Sequence, residues 1–109
     1  MFVIPTKAGV PYYSMRTSLD GRDFNLRFAW NQREERWYMD IRSDIDEPLA
    51  LGLKLVTNVS LLRAMAFDPR LPPGLLMAMD MTLDQSPPGY YDLEIGKRVQ
   101  LVYDPTTDF

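Results

Sequence analysis

The sequence predicts an all-β protein, a single small antiparallel β-barrel or sandwich of six or seven short strands. Three observations carry that expectation. Bulky apolar residues alternate with polar ones in several separate runs, turn signals such as Asp20-Gly21 and Leu71-Pro72-Pro73-Gly74 fall between the runs, and no long helical period is present. Successive side chains of a strand point to opposite faces, so strict alternation marks a strand with one buried face. Short strands separated by turns at regular intervals build barrels and sandwiches.

The clearest run is Phe24-Asn25-Leu26-Arg27-Phe28-Ala29-Trp30-Asn31, with every bulky apolar side chain on an even position. A helix would scatter them around its axis. Upstream, Tyr13, Met15, Thr17 and Leu19 repeat the alternation, and Asp20-Gly21 between the two runs specifies a tight hairpin turn. Trp37, Met39 and Ile41 share one face of the next strand, reached through the polar connection from Asn31 to Arg36. After the acidic turn Asp44 to Pro48, Leu49, Leu51, Leu53 and Leu55 predict a strand with a leucine inner face, in which Gly52 marks a bulge or a close approach.

Residues 60–67 fit a short helix or a strand equally well. Beyond the breaker Leu71-Pro72-Pro73-Gly74, the residues Leu75, Met77, Met79, Met81 and Leu83 alternate as the inner face of a further strand. Gln85 to Tyr91 reads as a surface loop, because Pro87-Pro88-Gly89 cannot continue a ladder. The closing run places Val99, Leu101 and Tyr103 inward before Asp104-Pro105 stops it. Residues 1–109 are expected to form one domain, with no internal repeat or low-complexity segment.

Composition narrows function more than any motif does. The chain has no cysteine and no histidine, which removes disulfides, thiolate metal sites, the commonest zinc ligand and every Ser-His or Cys-His nucleophilic pair. An enzyme is therefore not expected, and neither a cofactor nor a metal is implied. A net charge of -3 with no basic stretch along the sequence argues against nucleic-acid binding. No apolar run is long enough to span a bilayer and the N-terminus lacks a signal-peptide pattern, so the expected setting is a reducing cytoplasm.

The remaining chemical candidates are weak. Asp44, Asp46 and Glu47 lack the glycine and distal glutamate of a calcium loop and read as a solvated turn. Asp40 and Asp80 fall inside apolar strand runs, which admits a carboxylate-based hydrolase as an outside reading, yet both occupy the outward phase where a solvated charge belongs. Asn58-Val59-Ser60 matches a glycosylation acceptor without a secretory route. Strand spacing assigns Met77, Met79 and Met81 to core filling rather than to an adaptable contact surface. The adjacent pairs Tyr12-Tyr13 and Tyr90-Tyr91 are the best contact candidates, since neighbours on a strand face opposite ways and an outward tyrosine is a favoured interface anchor.

Several blocks taken together resemble a known family. They are Leu19-Asp20-Gly21, Phe24-x-Leu26-x-Phe28-x-Trp30-Asn31-x-Arg33, Trp37-Tyr38-x-Asp40-Ile41, Leu55-Val56, Leu71-Pro72-Pro73-Gly74 and Gly96-x-Arg98-Val99-x-Leu101-Val102-Tyr103. The chain resembles the small baseplate plug protein of contractile-tailed phages from about Leu19 to Asp104, with the Trp30-Asn31 to Trp37-Tyr38 block and the final run as the most specific parts. Two departures lie in loops: Glu47 stands where a turn glycine is expected, and Asp92-Leu93-Glu94-Ile95-Gly96 is longer than the usual Asp-Leu-Gly.

The resemblance implies a structural virion component of the tail baseplate, assembled in the host cytoplasm. It would sit near the tail axis and bridge or seal the hub and spike region against the tube end. Its implied partners are other baseplate proteins, in several copies about a three- or six-fold axis, with no catalytic residues, no nucleic-acid binding and no membrane insertion. The alternative is a stand-alone β module that binds a peptide or glycan on the Tyr12, Tyr13, Tyr90, Tyr91 surface.

Overall fold

The computed structural model describes residues 2–63, 68–80, 82 and 86–104. Within them lie seven strands: β1 (Phe2–Ile4), β2 (Tyr12–Leu19), β3 (Arg22–Asn31), β4 (Arg36–Ser43), β5 (Pro48–Lys54), β6 (Leu75–Asp80) and β7 (Val99–Asp104). They form a four-stranded sheet in the order β2-β3-β4-β5 and a three-stranded sheet in the order β1-β7-β6, every pairing antiparallel. The two sheets do not close into a barrel; the arrangement is sandwich-like, with one core formed from the inner faces of both.

The larger sheet follows the alternation in the sequence. Phe24, Leu26 and Phe28 of β3 and Trp37, Met39 and Ile41 of β4 are buried, and in register Leu26 faces Ile41 while Phe28 faces Met39. Burying each such side chain contributes about 1.5–3 kcal/mol before the entropy of ordering the chain is set against it. Asp20 and Gly21, with φ of 53° and 80°, close the β2–β3 hairpin with the left-handed pair that matches strand twist. In the β4–β5 turn the left-handed residue is Asp46, with φ of 65°. Glu47 thus needs no glycine-like freedom.

The phase of β5 differs from the leucine-face expectation. Met39 pairs with Leu53 but Ile41 pairs with Ala50, so Leu51 and Gly52 together oppose Asp40. This bulge, with Gly52 at φ 68°, turns Leu51 out to 55% exposure and Ala50 in to 5%. The glycine was a correct sign of the bulge, and its consequence for Leu51 is a correction.

β6 is inverted relative to the expectation. Leu76, Ala78 and Asp80 are buried, while Met77 and Met79 are half-buried on the other phase and stand outside the core. The register explains it: Leu76, Ala78 and Asp80 pair with Tyr103, Leu101 and Val99, the inward residues of β7. Met81, Leu83 and residues 64–67 lie outside the described residues, so the helix-or-strand question is answered only for the start of that segment. Ser60 makes an isolated bridge to Met77, and Leu61 donates its N–H to the Leu76 carbonyl.

β1 adds an element that three apolar residues before Pro5 are too few to announce by alternation. It pairs with β7 through Val3 with Val102 and Ile4 with Leu101. At the far edge of the smaller sheet, Gly74 is pressed against the end of β7. A Cβ there would collide with the Asp104 carbonyl and stand 2.6 Å from the Tyr103 hydroxyl, so the Leu-Pro-Pro-Gly breaker requires its glycine. The Gly74 N–H donates to Tyr103 Oη at 2.7 Å, and that hydroxyl donates in turn to Asp20.

Candidate protein-contact site

At the end of the sandwich that carries the β3–β4 turn, aromatic rings of the four-stranded sheet gather with those of the loop that holds Tyr90 and Tyr91. Tyr13 of β2 stacks on Phe28 at 5.0 Å between centroids and meets Trp37 edge-on at 6.1 Å. Trp30 packs edge-on against Trp37 at 5.4 Å and tilted against Tyr90 at 5.3 Å, and Tyr90 carries Tyr91 in a T-shaped contact at 4.8 Å. Offset and edge-to-face pairs of this kind are favoured by the ring quadrupoles.

The loop that brings Tyr90 and Tyr91 here is held by polar anchors. Trp37 Nε1 donates to the Gly89 carbonyl at 3.0 Å, and Tyr90 donates its hydroxyl to the Gly9 carbonyl at 3.0 Å while the Gly9 N–H donates to the Tyr90 carbonyl at 3.1 Å. Beneath the loop, Arg98 acts as a fork. It donates to Asp80 at 2.6 Å, to Asp92 at 3.1 Å, and to the Pro87 and Ser86 carbonyls at 2.9 and 3.3 Å. Asp92 also accepts from the Gly89 N–H at 3.0 Å. A planar guanidinium can satisfy several acceptors at fixed angles, and lysine could not.

Asp80, assigned by its strand phase to solvent, is 3% exposed. Burial alone would push its carboxyl up, but the backbone and hydroxyl of Thr82, both donating at 2.8 Å, and the Arg98 guanidinium hold it below the usual carboxylate range. The group is thus a buried, ionised strut that fixes Arg98. Asp40 keeps the outward phase and accepts from the Gly52 N–H at 2.7 Å across the β5 bulge.

The four candidate tyrosines divide into two roles. Tyr13 is buried, its hydroxyl accepts the Lys7 N–H at 2.9 Å, and burial pushes its ionisation up. Tyr90 is half-buried in the stack. Tyr12 and Tyr91, at 60% and 70% exposure, face out. Tyr91 lines a groove of about 620 Å³ with Trp30, Arg36, Pro87, Pro88 and Tyr90. Tyr12 lies on the outer face of the four-stranded sheet, opposite Ala29.

Sequence reasoning missed Trp30 and Arg98 as parts of this site. Trp30 was counted with the core because it continues the inward phase of β3, and only the end of the strand leaves it half-open to the groove. Arg98 gave a signal only as the arginine of the Gly-x-Arg-Val block, without indication of what it holds. Among the described residues, no group of three acidic side chains is placed to hold a metal ion. The rings, prolines and paired polar groups here can bind a protein surface.

A search of curated proteins finds no match to this chain. A protein-family model described as the cyanophage baseplate Pam3 plug gp18 matches residues 1–106. The sequence blocks and the family match thus agree, and the chain belongs to the cyanophage baseplate plug family.

Proposed function

We propose that this protein is a structural plug of a contractile phage tail baseplate, placed near the tail axis, where it bridges or seals the hub and spike region against the tube end. The family match over residues 1–106 is the observation that carries this reading. The site supports it: exposed Tyr12 and Tyr91 and the groove beside Trp30 offer anchors for neighbouring proteins, while Tyr13 and Tyr90 position them from beneath. The chain acts by contact and carries out no chemistry of its own. Several copies are arranged about the three- or six-fold axis of the hub, since tail assemblies are cyclic.

Mass spectrometry of purified tails tests the assignment. The chain is expected at a fixed small ratio to the tube protein. Tails that are complete and lack it would contradict the reading. Saturable binding of a peptide or glycan to the free chain, together with its absence from tails, would favour a stand-alone ligand-binding module instead.

A further inference from the structure

The outer face of the four-stranded sheet is open, and its charge runs against that of the chain. Register places Arg16, Arg27, Arg36, Arg42 and Lys54 on this face with Asp23 and Asp40, and the carboxylates of Glu34 and Asp46 reach its margins at Tyr38 and Arg42. The paired strand positions of the face thus carry three more cations than carboxylates, on a chain whose net charge is -3. No linear basic run encodes it. Cations on the outward phases of four strands, two of them on β4, are brought together only by strand pairing: Arg27 in the row Ser14-Arg27-Asp40, Arg16 and Arg42 in the row Arg16-Asn25-Arg42-Pro48, Arg36 opposite Asn31 and Lys54 opposite Tyr38.

Arg16, Arg42 and Arg36 donate to the Asp44, Asp46 and Glu35 carbonyls at 3.4, 3.3 and 3.3 Å, neutral acceptors that leave the charges of the guanidinium groups uncompensated. Arg27 sits on an inner strand of the sheet opposite Asp40, but the Asp40 carboxylate is turned to the Gly52 N–H, and no hydrogen bond or ion pair reaches Arg27 among the described residues. Arg16 and Asp23 are 3.9 Å apart and both more than half exposed, a separation that contributes little in water. Arg42 has Asp46 at 3.9 Å from a buried Nε that makes no hydrogen bond. At the aromatic end the same face carries Tyr12 and Tyr38, with Lys54 over the Tyr38 ring at 5.9 Å and Glu34 accepting the Tyr38 hydroxyl.

We infer that this face docks an acidic surface of a different tail protein, whose carboxylates pair with Arg27 and its neighbours, a statement that rests on the baseplate reading and names the chemistry of the partner. Charge complementarity is the argument. Arginines spaced across adjacent strands, interrupted by Asp23 and Asp40, suit discrete carboxylates that fit between the two acids, whereas a continuous phosphate backbone would meet both. Tyrosines at the margin supply the apolar anchor that a charged interface needs.

The test applies a water-soluble carbodiimide, which condenses an amine with a carboxylate in direct contact and releases the activating group as its urea, to purified tails. Mass spectrometry is expected to find Lys54 joined to an Asp or Glu of another tail protein. Tails assembled with Arg27→Glu should contain the chain at roughly tenfold lower level or less, because the partner then meets like charge, and Arg27→Gln should lie between. Both free variants should melt as the wild type does; if either fails to fold, the wild-type crosslink decides. Three results overturn the inference: Lys54 in tails acylated as fast as in the free chain, Lys54 joined to a second copy of this chain, or protection of Lys54 that nuclease removes. Any of these with the chain present leaves the baseplate reading intact, whereas tails without the chain remove both.

Discussion

Arg98 links the core of this protein to the loop that presents Tyr91. Its guanidinium joins buried Asp80 to Asp92 and to the carbonyls of the loop that presents Tyr91. Arg98→Ala is expected to lower the melting midpoint and loosen residues 86–92, with Arg98→Lys recovering only part, since a single ammonium cannot span these acceptors. Tyr103→Phe removes the acceptor of the Gly74 N–H and the donor to Asp20, and denaturant unfolding should show a loss of about 1–3 kcal/mol. The outward tyrosines should behave in the opposite way. A Tyr12→Ser, Tyr91→Ser double variant is expected to stay within about 1 kcal/mol of wild-type stability, as surface substitutions do, while incorporation into tails falls. At this scale the sequence was legible where geometry is local: opposite faces of β2 gave outward Tyr12 beside buried Tyr13, whereas Tyr90 and Tyr91 lie in a turn and Tyr91 faces out because the loop anchors place it there. Asp80 was illegible because Thr82, two residues on, could equally serve a solvated acid, and the Arg98 guanidinium that pairs with the buried carboxylate comes from a distant part of the sequence.

Between residues and molecule, the strands show when alternation suffices. β2, β3 and β4 could be read directly because one phase is apolar and the other polar, so only one face can be buried. In β6 both phases are apolar, and the choice between them is made by pairing with β7, which no local pattern reveals. In β5 two register shifts against β4, between Met39 and Ile41 and between Ile41 and Arg42, change the phase of the residues before Leu53. Two substitutions separate the observed phase from the expected one: Leu51→Asp should change stability by less than about 0.5 kcal/mol, whereas Ala50→Asp should unfold the sheet edge, as measured by thermal melts. Gly52→Ala should cost about 1–2 kcal/mol from its left-handed backbone alone, because no atom lies within 4 Å of the added Cβ.

For the whole molecule, pH dependence follows from its carboxylates. Asp80 and Asp68 are held below their ordinary value of 3.8, the first by Thr82 and Arg98 against the effect of burial, the second by Arg70. A depressed native value means that the stabilisation is fully present above the unfolded value and is lost as pH falls through the native one. Melting midpoints should therefore be flat in their contribution from these groups above about pH 4 and decline below it, with Asp80→Asn flattening the acid limb. The fold and the family were both readable from sequence, since the blocks that specify strands and turns are also those that carry the resemblance. The cationic sheet face was not, because its successive cations lie 6 to 12 positions apart in sequence, spread over four strands, and meet only through strand pairing. The most direct measurement of the central claim is a cryo-EM map of the tail that contains this chain. Density for the two-sheet sandwich is expected at the distal tail axis, with Tyr12, Tyr91 and the Arg27 face against neighbouring proteins. A complete baseplate with no density for the chain at that axis would contradict it.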